Sequence, residues 1–376
     1  MKILINASTL VVGGGVQVAL NLIKNTLKNK KHDFYYIISK ELFEQLDSSI
    51  EEKKYCVINI SPAKRIKGIP SRKLIKSIEK EFLPDIVYSV GAPSYIFFKT
   101  KEVLRLTNSW LFSDSKLAFS TYPFLKKHST RFILFIQRFY IRKKNYIITQ
   151  TEVAKNDISK RFNIKKDKIY VVPNVYSSIF DIKIEDIKKV SNKTRIFCFA
   201  APYNHKNIEI IPEVAKELEN KGVKDFEFLV TIPPDFNAGW SQKFHQKSKG
   251  VGVDRYIKNL GKVNFEEAPR LYQESDILFL PTLFETFSVT YLEAMASGVP
   301  IVTTNLPFAK EVCGDAALYF KPKDPKEAAN RIFELIMNKD LQESLILSGQ
   351  KKIKTFAKEN EVYSGHLKVL EQIHSR

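Results

Sequence analysis

Two glutamates eight residues apart, Glu285 and Glu293, stand between two apolar segments. Before them runs Asp276-Ile-Leu-Phe-Leu280, ended by Pro281, and after them Val299 to Thr303. Both segments read as strands. Glu285 falls in the turn that follows the first, and Glu293 falls on the helix leading to the second. In strand–turn–helix–strand units, ligands gather at the carboxyl ends of the strands. The amides from Thr286 through Phe287 and Ser288 to Val289 open that helix, and with its dipole they suit a phosphate or another anion. A carboxylate in the same turn is repelled by phosphate and accepts hydrogen bonds from hydroxyls instead. Glu293 lies about two turns along, about 12 Å by helical rise. A ligand with hydroxyls at both ends and phosphate between them satisfies all three groups, and a nucleotide-sugar has that layout.

The elements that must position these groups come from a chain of 376 residues, long enough for two to three domains. A hydrophobic share of 44% is ordinary for a soluble globular protein. Cys56, Cys198 and Cys313 are far apart, in mostly apolar surroundings and without metal-ligand spacing, so they read as reduced core thiols of a cytosolic protein. The start, Met1-Lys-Ile-Leu-Ile-Asn-Ala-Ser, breaks at Asn6 and reads as a buried strand rather than a signal peptide. No apolar run of about 18 residues offers a transmembrane helix.

Strand-like and helix-like segments alternate throughout. Lys2 to Leu10 reads as a strand, and Gly13-Gly14-Gly15 then opens a helix with Val16, Leu20 and Ile23 on one face. A glycine-rich turn lets a substrate or backbone approach closely. It lacks G-x-G-x-x-G spacing, which argues against a dinucleotide fingerprint. Further strands are expected at 34–39, 54–60, 84–90, 102–107, 145–149, 168–172, 195–200 and 226–232. Two doubly wound sheets follow from this alternation. Residues 1–175 form the first domain, 176–193 a polar, lysine-rich linker, 194–355 the second domain and 356–376 a closing helix.

Charge is divided along the same boundary. Residues 1–175 hold 32 Lys and Arg against 14 Asp and Glu, a net +18, whereas 176–376 net only +1. Such asymmetry points to an anionic partner or surface for the first half. Residues 96–144 carry 11 basic residues, two acids and 11 aromatics, densest over Thr130–Lys144. That segment is too short and too charged to span a bilayer. It fits an interfacial helix near anionic lipids, or a core helix with a basic end. Aromatics among basic residues also suit single-stranded nucleic acid, but no RNP, KH or zinc pattern accompanies them.

The run Phe284-Glu285-Thr286-Phe287-Ser288-Val289-Thr-Tyr-Leu-Glu293-Ala-Met-Ala-Ser-Gly-Val-Pro300 resembles the E-x7-E signature of the retaining glycosyltransferases of the GT-B fold, family 4 (glycosyl transferases group 1). Thr286 and Ser288 stand where that family usually has glycine. The resemblance extends to Val171-Val-Pro-Asn174, which in the family ends the acceptor domain. It implies two Rossmann-like α/β domains facing across a cleft, with the last helix crossing back to the first. It implies an N-terminal acceptor-binding domain and a C-terminal nucleotide-sugar-binding one.

The resemblance also assigns residues. Glu285 would hold the donor sugar's hydroxyls as a positioning group rather than a nucleophile, and Glu293 the ribose hydroxyls. Lys206, in His205-Lys206-Asn207, matches the family's diphosphate lysine, while the family's arginine is replaced by Ala201 or Pro202. Gly14 and Gly15 match the glycine loop facing the donor, and the turn carrying Lys262 and Val263 matches the one holding the base edge. Asn108, past the fifth strand, is the candidate polar contact to the reacting sugar. Lys206, Glu285 and Asn108 would thus serve the reacting end.

The implied activity is transfer of a sugar from a nucleoside diphosphate to an acceptor hydroxyl, with retention and without a metal or other cofactor. The acceptor would be a lipid-linked or polysaccharide precursor of the cell surface. The protein would work in the cytoplasm, on the inner face of the plasma membrane where its basic half meets anionic lipid, with no nucleic-acid partner. Two other classes remain open. A nucleotide-sugar epimerase of the same fold would need acid/base carboxylates and a histidine in the cleft. A nucleic-acid-binding protein would account for the charge but not for the paired glutamates.

Overall fold

The first strand, β1 (Lys2–Ala7), is apolar along both faces, and everything in it after Lys2 is buried. That pattern belongs to a strand covered on both sides, as in a parallel sheet flanked by helices. The computed structural model describes residues 1–11, 14–46, 54–142, 146–181, 191–234, 236 and 238–376. Gly13, Lys143 and Lys144, and residues 182–190 of the expected linker, lie outside the described residues.

The chain divides into two compact units. The first holds Met1–Asp114, Phe124–Pro173 and Asn360–Arg376, and the second holds Ser115–Pro123 and Asn174–Glu359.

In the first unit, β1 is joined by β2 (Asp33–Ser39), β3 (Tyr55–Ile58), β4 (Ile86–Ser89), β5 (Glu102–Arg105), β6 (Tyr146–Thr149) and β7 (Ile169–Val171). The seven strands run parallel in the order β3-β2-β1-β4-β5-β6-β7, with Ile5 opposite both Tyr36 and Tyr88. The order reverses between β1 and β4. β1 ends earlier than its apolar run suggests, because Leu10 N–H turns back to the Ala7 carbonyl at 3.2 Å.

Alternate residues of β1 serve opposite cores. Ile3 and Ile5 pack with Val16, Leu20 and Ile23 of the Gly14–Leu27 helix and with Leu367, Leu370 and Ile373 of the last helix, Glu359–His374. Leu4 packs with Ile75 and Ile78 of the Ile69–Phe82 helix on the other side. The last helix also brings buried His366 against β4, its Nδ1 2.9 Å from the Tyr88 hydroxyl.

The second unit holds β8 (Thr194–Cys198), β9 (Phe226–Val230), β10 (Ile257–Asn259), β11 (Ile277–Leu280), β12 (Ile301–Thr304) and β13 (Ala317–Phe320). They form a parallel six-stranded sheet in the order β10-β9-β8-β11-β12-β13. Here the order reverses between β8 and β11, which pair directly through Ile196–Ile277 and Phe197–Leu278. Helices Ile211–Asn220 and Val289–Ala296 are among those returning the chain between strands, and Pro325–Met337 follows the last strand. Both units therefore have the doubly wound parallel architecture expected from the alternation of segments. Among the described residues no helix is long and apolar enough to cross a membrane.

Candidate functional site

Because β8 and β11 are neighbours at the reversal of strand order, the loops leaving their carboxyl ends emerge side by side. This is the position where open α/β sheets collect ligands. After β8 the chain makes a tight turn, Asn204–Lys206, closed by Asn207 in the left-handed conformation (φ 56°, ψ 31°). Asparagine tolerates that region better than most residues. The Asn207 amide donates to the Pro281 carbonyl at 3.3 Å. The His205 carbonyl accepts from Leu283 N–H at 2.7 Å and from the Thr282 hydroxyl at 3.2 Å. These bonds lash the two loops together, and across them the Lys206 ammonium pairs with the Glu285 carboxylate.

Pro281–Ser288 is buried at every position except Glu285, which is only partly covered. A buried loop must satisfy its own carbonyls, and β12 supplies two donors. The Thr303 hydroxyl donates to the Leu280 carbonyl at 2.8 Å and the Thr304 hydroxyl to the Thr282 carbonyl at 2.6 Å. The helix Val289–Ala296 then starts after Ser288, whose side chain makes no capping bond. The positive end of that helix is therefore not satisfied by its own N-cap side chain, which suits an anion.

Glu293 is buried on this helix, and the Tyr272 hydroxyl donates to its Oε2 at 2.9 Å. Burial pushes the Glu293 carboxyl up to about 7, and the bond from Tyr272 opposes this only in part. Tyr272 is locked by edge contacts with Phe180, Phe197 and Phe199. His205 stacks flat on Tyr203, and burial lowers its pKa, so its imidazole is neutral near pH 7.

Of the residues singled out from sequence, the second unit gathers Lys206, Asn207, Glu285, Thr286, Phe287, Ser288, Val289 and Glu293 around the β8/β11 ends. Lys262 and Val263 follow β10, two strands away in the same sheet. Their turn is pinned by Asn259, whose Oδ1 accepts from Ile232 N–H and Gly261 N–H, each at 3.0 Å. Gly261 takes a φ of 72°, which suits glycine.

Gly14, Gly15 and Asn108 lie in the first unit. Gly14 begins the helix after β1, and a Cβ on Gly15 would sit 3.2 Å from Leu10. Asn108 is exposed beyond β5 and caps the short Ser109–Phe112 helix, its Oδ1 accepting from Trp110 N–H at 3.2 Å.

Sequence reasoning missed Tyr272, Asn259, Thr303 and Thr304, whose roles are support. It also missed Gly91, which follows β4 at the reversal of the first sheet. A Cβ there would lie 2.5 Å from Thr9 Oγ1. Ser115–Pro123 was missed as well. This segment abuts the Lys206 turn, where the Asn204 amide donates to the Thr121 carbonyl at 3.0 Å. A lone aromatic, a strand-end threonine or a short polar segment carries no spacing signal that would single it out.

Residues 193–338 match the family model described as glycosyl transferases group 1. Over 207 residues the chain is 27% identical to the O-antigen chain mannosyltransferase RfbU of Salmonella typhimurium, covering 54% of each protein. The chain thus spans about half the length of the curated relatives it matches. It is similar in structure to Anabaena Alr3699/HepE in complex with UDP and glucose, with a TM-score of 0.75, 16% identity, and 99% and 100% of the two chains covered. It is also similar to a glycosyltransferase from Rickettsia africae, with a TM-score of 0.73, 18% identity, and 99% and 98% covered. The chain has the GT-B fold of these proteins, and over residues 193–338 it is similar to the glycosyl transferases group 1.

Proposed function

We propose that the protein is a retaining glycosyltransferase that moves a hexose from a nucleoside diphosphate to an acceptor hydroxyl. The observation that carries this reading is the Lys206–Glu285 pair, set beside the start of the Val289–Ala296 helix where strand order reverses. Breaking the bond between the sugar and the diphosphate leaves negative charge on phosphate. The Lys206 ammonium and the amides from Thr286 to Val289 meet that charge as it grows, in a partly water-excluded place where such donors count most. They do this without a metal ion or other cofactor.

Glu285 accepts hydrogen bonds from the sugar's hydroxyls and so orients the anomeric carbon, and Glu293 holds the ribose at the other end of the donor. The Lys262–Val263 turn offers backbone groups to the base. With Ala201 or Pro202 in place of a second cation, the diphosphate rests on Lys206, the amides and His205. The acceptor is a lipid-linked or polysaccharide precursor of the cell surface, met at the cytoplasmic face of an anionic membrane. Two similar proteins support this class: an O-antigen chain mannosyltransferase, and a protein crystallised with UDP and glucose.

Calorimetric titration with UDP, GDP and ADP tests the donor site. One of the three binds, and Glu293→Ala weakens it by about tenfold or more, the value of a hydrogen-bonded buried carboxylate. Failure of all three to bind would sink the reading.

A further inference from the structure

The Phe124–Arg142 helix is turned inside out relative to a core helix. Of its residues only Leu134 and Ile141 are buried. Polar side chains hold it to the protein instead. Gln137 Nε2 donates to the Tyr95 hydroxyl at 2.9 Å. Arg138 donates to the carbonyls of Leu111 and Trp110 at 2.9 and 3.0 Å and pairs with Asp114 at 2.7 Å.

The outward face is apolar. Leu125, Phe132, Phe135 and Phe139 are 82%, 59%, 66% and 51% exposed. Their spacings of seven, three and four residues place them in one stripe along the helix. Phe97 extends the patch, meeting Phe139 edge-on and lying flat on Tyr140 at 5.2 Å. Arg131 and Arg142 border the stripe on one side and Lys126 on the other, all exposed.

A continuous apolar patch of this kind on a monomer marks a contact surface. Its basic border, on a chain half with a net +18 against +1 for the rest, selects an anionic occupant over a neutral protein face. An apolar stripe with basic flanks on a helix that does not span fits the interface plane of an anionic bilayer. We propose that this helix lies in that plane, with Leu125, Phe132, Phe135 and Phe139 among the acyl chains and Lys126, Arg131 and Arg142 at the headgroup phosphates. Arg138 is held inward by Asp114 and takes no part. The inference rests on the transferase reading only in that a membrane-borne acceptor gives the surface its purpose, and it is tested without donor or acceptor.

The test is flotation of the full chain with phosphatidylcholine vesicles, with and without phosphatidylglycerol. The wild-type protein floats with the anionic vesicles and far less with the neutral ones. The Phe132→Ser/Phe135→Ser double variant binds at least about tenfold more weakly, since two buried aromatic side chains are lost. Lys126→Glu/Arg131→Glu removes the preference for phosphatidylglycerol. All four positions are exposed, and unchanged thermal melting shows that the variants fold. The proposal is overturned if the wild-type protein floats with neither vesicle, or if the double variant binds as well as wild type. It is overturned equally by a dimer without flotation that the double variant abolishes, which assigns the stripe to a second copy. Flotation as expected with no binding of UDP, GDP or ADP upholds the membrane surface and removes only the transferase reading.

Discussion

The Tyr272 hydroxyl donates to Glu293 Oε2 at 2.9 Å, joining the helix Ala268–Gln273 to the second glutamate of the E-x7-E run. The tyrosine ring is fixed by the aromatic core, so the bond sets the direction in which the carboxylate lies. Burial raises the carboxyl to about 7, whereas an exposed glutamate titrates near 4.5.

That shift makes stability depend on pH. The folded protein keeps the Glu293 proton between about 4.5 and about 7, where the unfolded chain has released it. Folding stability therefore falls as pH rises through this window, by about 3 kcal/mol in all. Glu293→Gln carries no ionisable proton and lacks this slope. Thermal unfolding from pH 4 to pH 8 reads the difference, and identical slopes for the two proteins reject the burial argument.

Tyr272→Phe keeps the ring in its cluster and removes only the donor. It costs about 1–2 kcal/mol, the value of a buried hydrogen bond to a group that then lacks a partner. Losing the donor also raises the Glu293 carboxyl further, since the bond holds it down. The pH profile of nucleotide binding moves to higher pH, which a purely structural tyrosine would not cause.

Lys206→Ala separates catalysis from folding. In the proposed transfer, the loss of one charged donor to a departing diphosphate lowers kcat by about 100- to 1000-fold. The mostly covered Glu285 left behind without its cation costs about 1–3 kcal/mol in stability. An unchanged kcat at saturating donor removes Lys206 from the reaction.

Gly91→Ala tests the close packing of the loops after β1 and β4. The new methyl meets Thr9 Oγ1 at 2.5 Å and Leu10 Cδ2 at 2.9 Å, and forcing it in costs about 1–3 kcal/mol. Thr9→Ala in the same chain removes the nearer atom and recovers part of the loss. Additive effects of the two substitutions in denaturant unfolding contradict the clash.

The parallel sheets were legible because strands such as Ile277–Leu280 are apolar on both faces and alternate with helical segments. The paired glutamates were legible because a carboxylate in a strand-end turn is a local pattern. Tyr272 was not, since it lies 21 residues from Glu293 and only packing aims its hydroxyl. The Phe124–Arg142 helix shows the limit most clearly. The same apolar periodicity serves an inward or an outward stripe, and its direction is set by Arg138 and Gln137, whose partners are distant in sequence.

The last helix has a consequence for synthesis. Leu367, Leu370 and Ile373 close the core over β1, and His366 reaches Tyr88, yet these residues are made only after residues 174–359 of the second unit. At translation speeds, the chain between Pro173 and Asn360 takes on the order of ten seconds or more to appear. For that interval one face of the first sheet is covered by the Gly14–Leu27 helix but lacks the last helix, while the second unit already has nearly all of its chain. The unit begun first is thus the one finished second, and a nascent chain stalled short of residue 360 presents the apolar surface that the last helix would cover to chaperones.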